Sequence, residues 1–157
     1  AADLGDGGGR IQITEYDPGG FELGGDIYLP SSILLLAQTA YLWRPQTVEE
    51  VTIESLRIFT VVHPRPEIVV LGLGAVAREH LQDVNFFLRH EGIAVEQMDT
   101  NNAVHTFNVL NEENRAVAAA ILTLEPRNDE AADPFASLFP TPKRGVGSDA
   151  APPASSS

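Results

Sequence analysis

Apolar and polar residues alternate along Ile11-Gln12-Ile13-Thr14-Glu15-Tyr16 as they do in a half-buried strand, and Asp17-Pro18-Gly19-Gly20 supplies strong turn chemistry. A second strand starts at Phe21. Gly24-Gly25-Asp26 separates Phe21-Glu22-Leu23 from Ile27-Tyr28-Leu29. Glycine tolerates the positive φ that a hairpin turn needs, so the N-terminal third is predicted to be antiparallel. Ile33 to Ala37 is apolar at every position, the pattern of a strand covered on both faces, and Tyr41, Leu42 and Trp43 follow it into Arg44-Pro45. Trp43 is assigned to a core or an interface rather than to a ligand platform.

Helical spacing begins after that. Thr47 and Thr52 suit helix N-caps, with Glu50 as the capping-box partner of the first, and Leu56, Phe59 and Val62 recur on one face before Pro64 and Pro66 end the helix. Glu67 to Leu71 reads as a short buried strand running into a Gly72-Leu73-Gly74 loop. Ala77, Leu81, Val84 and Leu88 then share a helical face, and Gly92 stands where a terminating glycine would. Ile93, Val95 and Met98 continue as a strand. Asp99 caps a third helix with Ala103, Phe107 and Leu110 inward, and Ala116 to Leu122 closes the sheet. The expected fold is α/β of mixed α+β character: N-terminal antiparallel strands plus a βαβαβ unit in one compact domain.

Composition narrows the picture. With 157 residues the chain is sized for one domain, and its central part can bury roughly two thirds of its unfolded surface. The expected division is a flexible 1–9, a folded 10–125 and a tail over 126–157. Six of the eleven prolines fall in that tail, together with most of the terminal Ala and Ser, a composition that cannot offset ordering entropy. Phe135, Leu138 and Phe139, between Asp133 and Lys143, are its one adhesive segment, suited to a partner or to the domain's own surface. No internal repeat is present.

The net charge of -12 argues against binding nucleic acid or anionic lipid and suits a basic partner surface. Nine of the ten basic residues are Arg, which reflects genomic base composition better than recognition. The absence of cysteine excludes disulfides and thiolate chemistry. No apolar run approaches the ~20 residues of a bilayer span, so a soluble chain is expected, reaching a membrane only through partners. The first residues are acidic and glycine-rich, unlike an arginine-rich transit peptide. A start at Ala fits a processed end or a shortened chain equally.

Two constellations invite a chemical reading. Gly72-Leu73-Gly74-Ala75-Val76-Ala77 fits the Gly-x-Gly-x-x-Gly/Ala fingerprint between a strand and a helix, and Glu96 lies near the end of the next strand, where it would meet ribose hydroxyls. A dinucleotide would rest its pyrophosphate on the loop. Against this, the fingerprint strand is not the first of the fold, no second mononucleotide half follows, and an ordinary turn uses glycines in the same way. The second constellation is Asp99, Thr100, Asn102, Thr106 and Asn108, the densest polar group of the folded region. It reads as a capped helix start, or as one wall of a cleft shared with Gly72, Leu73 and Gly74. His63, His80, His90 and His105 have no metal-ligand spacing, and no nucleophile elbow accompanies His105, so neither a metal nor a catalytic residue is assigned.

The residues also resemble a known family. Gly20-Phe21 with Gly24 or Gly25, Leu34-Leu35-Leu36, Tyr41-Leu42-Trp43, Thr52-Ile-Glu-Ser-Leu56 and Glu67-Ile-Val-Val-Leu-Gly-Leu-Gly74 carry the first half of the resemblance. Gly92-Ile-Ala-Val-Glu96, Met98-Asp-Thr-Asn-Asn-Ala103, Thr106-Phe-Asn108 and Ala118-Ala-Ala-Ile-Leu122 carry the second. In this order and spacing they resemble the small α/β domain of the third of the numbered assembly factors of mitochondrial respiratory complex I (NADH:ubiquinone oxidoreductase) and its bacterial, archaeal and cytosolic relatives. The resemblance covers about Gln12 to Leu122. It implies a binding role without enzymatic activity or cofactor, in building the quinone-reducing arm. The implied place is the mitochondrial matrix, at the matrix face of the inner membrane. The implied partners are arm subunits and a partner assembly factor, with retention as an accessory subunit of the mature complex as a variant. The family commonly has Gly-Thr-Gly where this chain has Gly72-Leu73-Gly74, which weakens a small-ligand role and leaves Leu73 as an apolar contact. Relatives tend to carry a small residue at the position of His105. Trp43, Gly72, Leu73, Gly74, Asp99, Thr100, Asn102, His105, Thr106 and Asn108 are thus the candidate cleft or interface.

Overall fold

The computed structural model describes residues 9–75 and 81–126, with the backbone of residues 2–3. The readings placed on Ala77, His80 and the segment from Phe135 to Lys143 lie outside the described residues. In chain order the elements are β1 (Ala2–Asp3), β2 (Ile13–Asp17), β3 (Gly20–Leu23), β4 (Ile27–Leu29), β5 (Ser32–Leu35), β6 (Thr39–Trp43), α1 (Ile53–Leu56), β7 (Ile68–Gly72), α2 (Gln82–His90), β8 (Ala94–Met98), α3 (Thr100–Glu112) and β9 (Val117–Ile121). Short 3-10 turns over Val48–Glu50 and Arg57–Thr60 flank α1. The fold is mixed α/β, with the antiparallel N-terminal strands and the βαβαβ unit both present.

Six strands form the main sheet in the order β1-β6-β5-β9-β7-β8. β7 runs parallel to both β8 and β9, while β5 joins β9 and β6 in antiparallel pairs. From β7 the chain crosses to β8 on one side and then returns past β7 to β9 on the other. Right-handed crossovers taken in opposite directions must lay their helices on opposite faces. The two cores show this: α2 contributes Val84 and Leu88 to a core with Val69, Leu71, Ala118 and Ala120, whereas α3 contributes Ala103, Val104 and Phe107 to a core with Val70, Val117, Ala119 and Ile121. The strand period of two sorts successive residues of β7 and β9 between them. β5 is buried at every position, as its unbroken apolar run requires, with Leu34 in the first core and Ile33 and Leu35 in the second.

β2, β3 and β4 form a separate antiparallel sheet whose inner residues Ile13, Phe21 and Leu23 close the second core. Gly24 and Gly25, with φ of 60° and 92°, make the tight turn between β3 and β4. On the outer face Tyr28 lies over Gly20, where a Cβ would stand 2.6 Å from the phenol oxygen. That oxygen donates to Asp17 Oδ1 (2.8 Å), which also accepts from the Gly19 amide (2.9 Å).

α1 is shorter than its periodicity suggests. Thr52 and Ser55 form a reciprocal capping box, but the α-helix stops at Leu56 and tightens into the 3-10 turn. Ile58, Thr60, Val61 and Val62 are β-branched and resist helix, and the Thr60 hydroxyl bonds back to the Arg57 carbonyl (2.7 Å). Leu56 and Phe59 still reach the core. Thr47 makes no side-chain cap; the Glu50 carboxylate instead accepts from the Gln46 amide (2.7 Å).

Burial and the hydrogen bond to Asp17 push the Tyr28 phenol up to about 12, and the phenol's donation holds Asp17 below its usual range. The raised Tyr28 value favours the folded state fully below pH ~10 and loses that contribution between about pH 10 and 12, while the Asp17 contribution is present above pH ~4 and is lost on acidification. Tyr28 is 46% exposed, so screening keeps the stability change small and titration is the sharper readout. In a tyrosinate absorbance titration Tyr28 should ionise near pH 12, and Asp17→Asn should lower that value.

Candidate functional site

The carboxyl ends of β7, β8 and β9 meet at one edge of the main sheet, where an open α/β sheet would place a ligand. Gly72 and Leu73 leave β7 there, Asp99 and Thr100 leave β8, and Thr123 follows β9. Because β5 runs antiparallel to β9, Ser31 and Ser32 reach the same edge from the other direction.

Thr100 joins these ends. It is fully buried, its hydroxyl donates to the Leu122 carbonyl (2.7 Å) and accepts from the Gly74 amide (3.0 Å), and its own amide donates to the Gly74 carbonyl (2.8 Å). The Leu73 amide is spent on the Met98 carbonyl (2.9 Å) and the Leu122 amide on Gly72 (2.8 Å). Asp99 caps α3 by accepting from the Asn102 amide (2.8 Å) and takes a second bond from the Asn102 side chain (3.0 Å). The Ser32 hydroxyl accepts from the Thr123 amide (3.3 Å), and the Ser31 hydroxyl donates to the Trp43 carbonyl (3.3 Å).

This arrangement disfavours the dinucleotide reading. Phosphate binding needs backbone amides aimed outward, yet the amides of Leu73 and Gly74 are occupied from within. The described part of α2 begins at Gln82, eight positions after Gly74. Gly72 serves packing. A Cβ there would stand 2.8 Å from both Ala103 Cβ and Ile121 Cγ2, so the glycine lets α3 lie directly on β7. Gly74, at φ +98°, occupies a conformation that L side chains rarely adopt. Glu96 is exposed on the edge strand β8.

The other candidate residues divide by burial. Trp43 (3% exposed) and Leu73 (2%) lie in the first core, and the Trp43 indole donates to the Ser55 carbonyl (3.0 Å). Asn108 is tied to β2, accepting from the Ile13 amide (2.9 Å) and donating to the Ile13 carbonyl (3.0 Å). Asp99 and Thr106 are half-buried, and Asn102 and His105 are exposed.

A polar seam along α3 was not singled out from the sequence. Asn101, Asn108 and Asn111 lie along one side of the helix. Asn101 accepts from the Tyr16 hydroxyl, Asn108 pairs with Ile13, and the buried Asn111 donates to the carbonyls of Ile11 (2.9 Å) and Ala37 (3.2 Å). Arg10 Nε donates to both the Asn111 carbonyl and its side-chain oxygen (2.9 Å each), while its other end reaches the Arg115 carbonyl (2.7 Å). The asparagine spacing of seven and three was the available signal. The hydroxyls flanking apolar runs, Ser31-Ser32 before Ile33 and Thr123 after Leu122, were the signal for the rest of the buried polar set.

The pattern of a family described as "Protein of unknown function (DUF498/DUF598)" matches residues 13–122. A rat protein named NADH dehydrogenase [ubiquinone] 1 alpha subcomplex assembly factor 3 is 38% identical over 113 residues, covering 71% of this chain and 60% of its own length. The zebrafish protein of the same name is 37% identical over 111 residues, covering 70% and 63%. The chain therefore spans about 60% of the length of these curated relatives. A crystal structure described as an outer membrane protein from Bartonella henselae superimposes with a TM-score of 0.68 at 27% identity, covering 78% of this chain and 98% of that one.

Removing the Thr100 hydroxyl should orphan the buried Leu122 carbonyl and the part-buried Gly74 amide. Thr100→Val should cost about 1–3 kcal/mol per orphaned group in thermal or urea unfolding, and Thr100→Ser should recover most of it. Gly72→Ala should cost about 1–3 kcal/mol by overpacking. Millimolar NAD(H) should leave the parent's melting temperature unchanged; a ligand-dependent rise would restore the nucleotide reading.

Proposed function

The chain belongs to the DUF498/DUF598 family, and on that premise we propose that it is an interaction protein acting in the assembly of mitochondrial respiratory complex I. It works without catalysis or cofactor. The similarity to relatives named assembly factor 3, 38% and 37% identical over 113 and 111 residues, carries this reading. The sheet edge supports it, because the loop amides of Leu73 and Gly74 bind the chain itself.

In this reading the 10–125 unit contacts subunits of the quinone-reducing arm and a partner assembly factor in the mitochondrial matrix. It reaches the inner membrane through them. Among the described residues no helix is long and apolar enough to cross a membrane. Thr100 anchors the first turn of α3 to the strand ends, while Trp43 and Leu73 pack in the core on the other face of the main sheet. The partner meets the outer side of α3, where Asn102 and His105 are exposed beside Val109, an apolar side chain 51% exposed.

Loss of the protein should lower the amount of assembled complex I; normal abundance and activity without it would refute the assembly role. Native separation of mild-detergent extracts distinguishes the two forms of that role. Comigration with full-size complex I marks a retained accessory subunit, and comigration with smaller intermediates alone marks an assembly factor. The double substitution His105→Asp, Val109→Asp should abolish comigration while leaving the melting temperature within a few degrees, since exposed substitutions typically cost less than about 0.5 kcal/mol. Retained comigration would move the contact to another surface.

A further inference from the structure

β8 ends the six-stranded sheet, and among the described residues no strand lies beyond it. The parallel register fixes which of its backbone groups face outward. The Ala94 amide donates to the Glu67 carbonyl (2.9 Å) and the Met98 carbonyl accepts from the Leu73 amide (2.9 Å), so Ala94, Glu96 and Met98 turn their backbone groups toward β7. Val95 and Gln97 turn theirs to the other side, by the alternation of a strand. β8 holds five residues in unbroken register with β7 and has no proline. The Gln97 side chain fixes it to the start of α2 through the Leu81 amide (2.9 Å) and carbonyl (3.2 Å). Such an edge is a template for a further strand. Its cover is a side chain: Arg89 Nη2 stands 3.4 Å from the Val95 carbonyl, long for a hydrogen bond, and Val95 is 5% exposed.

We propose that this edge receives an extended segment of a separate protein, added as a seventh strand, with a lysine or arginine beside Glu96. Strand addition draws affinity from main-chain bonds and specificity from alternate side chains. Glu96 is exposed and belongs to neither of the ion pairs found among the described residues, Arg57–Glu54 and Arg65–Glu91. It shares the α3 face of β8 with Met98, which packs against the second core, whereas Val95 packs in the first. A cation arriving on that face completes the pair. A second copy fits badly. A twofold axis at position 96 sets Glu96 against its own copy, and an axis at position 95 brings together the two Arg89 side chains beside the Val95 carbonyls. An axis at position 97 pairs Val95 with Asp99, which has left the strand to cap α3. Copies that each carry a net charge of -12 also repel one another. Arg89 is exposed and is otherwise bonded to Asn85 of its own helix (3.1 Å), so it swings aside without disturbing the sheet. The inference concerns how a partner is held and is independent of the complex I role.

The test uses the full-length chain and a decapeptide of alternating Val and Thr with a central Lys, N-methylated along one edge so that it cannot pair with itself. At saturation the peptide should slow amide hydrogen exchange of Val95 and Gln97 by about tenfold or more, leaving Ala94, Glu96 and Met98, already bonded to β7, nearly unchanged. A peptide with Glu in place of the Lys should bind about fivefold more weakly, and Glu96→Lys, at an exposed position, should reverse that preference. The Lys peptide N-methylated along both edges should not bind. Absence of protection, protection indifferent to the peptide's charge, or equal binding of the doubly methylated peptide overturns the proposal. A Gln97 amide as protected as that of Glu96 before any peptide is added also overturns it. Such protection assigns the edge to a second copy where it grows with protein concentration, and to the chain itself where it does not.

Discussion

The distance between α3 and β7 governs the rest of the molecule. Gly72 has no side chain, Ala103 has only a methyl group, and Ala119 is the small neighbour on β9, so the helix settles where any Cβ at position 72 would collide with it. This closeness brings the first turn of α3 against the carboxyl ends of three strands. Thr100 can then bond to the loop after β7 and the residue after β9 at once. A larger residue at 72 would lift the helix and open both bonds together, because close-packed interiors transmit such displacements.

The same placement decides what the sheet edge can do. In a nucleotide-binding α/β sheet, glycines admit a phosphate to backbone amides at the strand ends. Here Gly72 admits a helix. The amides of Leu73, Gly74 and Leu122 find partners in Met98, Thr100 and Gly72, and the free amides of the first turn of α3 are served partly by Asp99. A ligand at these amides would have to replace bonds already made.

Sequence pattern exposed much of this fold for physical reasons that can be traced residue by residue. The run at Ile33 marks a central strand because only burial on both faces tolerates it, and Gly24, Gly25 and Gly92 mark turns because each holds a positive φ. The break of α1 after Leu56 was less visible. Leu56 and Phe59 keep helical spacing, but the β-branched residues after them favour a tighter turn, and spacing alone registers only the former. At the candidate site, Asp99 was legible as a cap because capping is local in sequence. Thr100, Asn108 and Asn111 were not legible in their roles, since their partners lie up to 101 residues away and depend on which face α3 presents to the sheet.

The asparagine seam also explains how two unlike sheets form one body. β2 cannot extend the main sheet, so its backbone needs partners elsewhere, and Asn108 supplies both a donor and an acceptor to Ile13, much as a neighbouring strand would. Asn111 does the same for the carbonyls of Ile11 and Ala37 from a fully buried position, with Arg10 covering its oxygen. Buried amides that satisfy all their bonds are directional in a way that apolar contacts are not, which sets the register of the N-terminal strand against α3. Gly72 determines how close the helix lies, and the asparagines determine which part of the N-terminal strand it holds. Together they orient the outer side of α3, with Asn102, His105 and Val109, relative to both sheets.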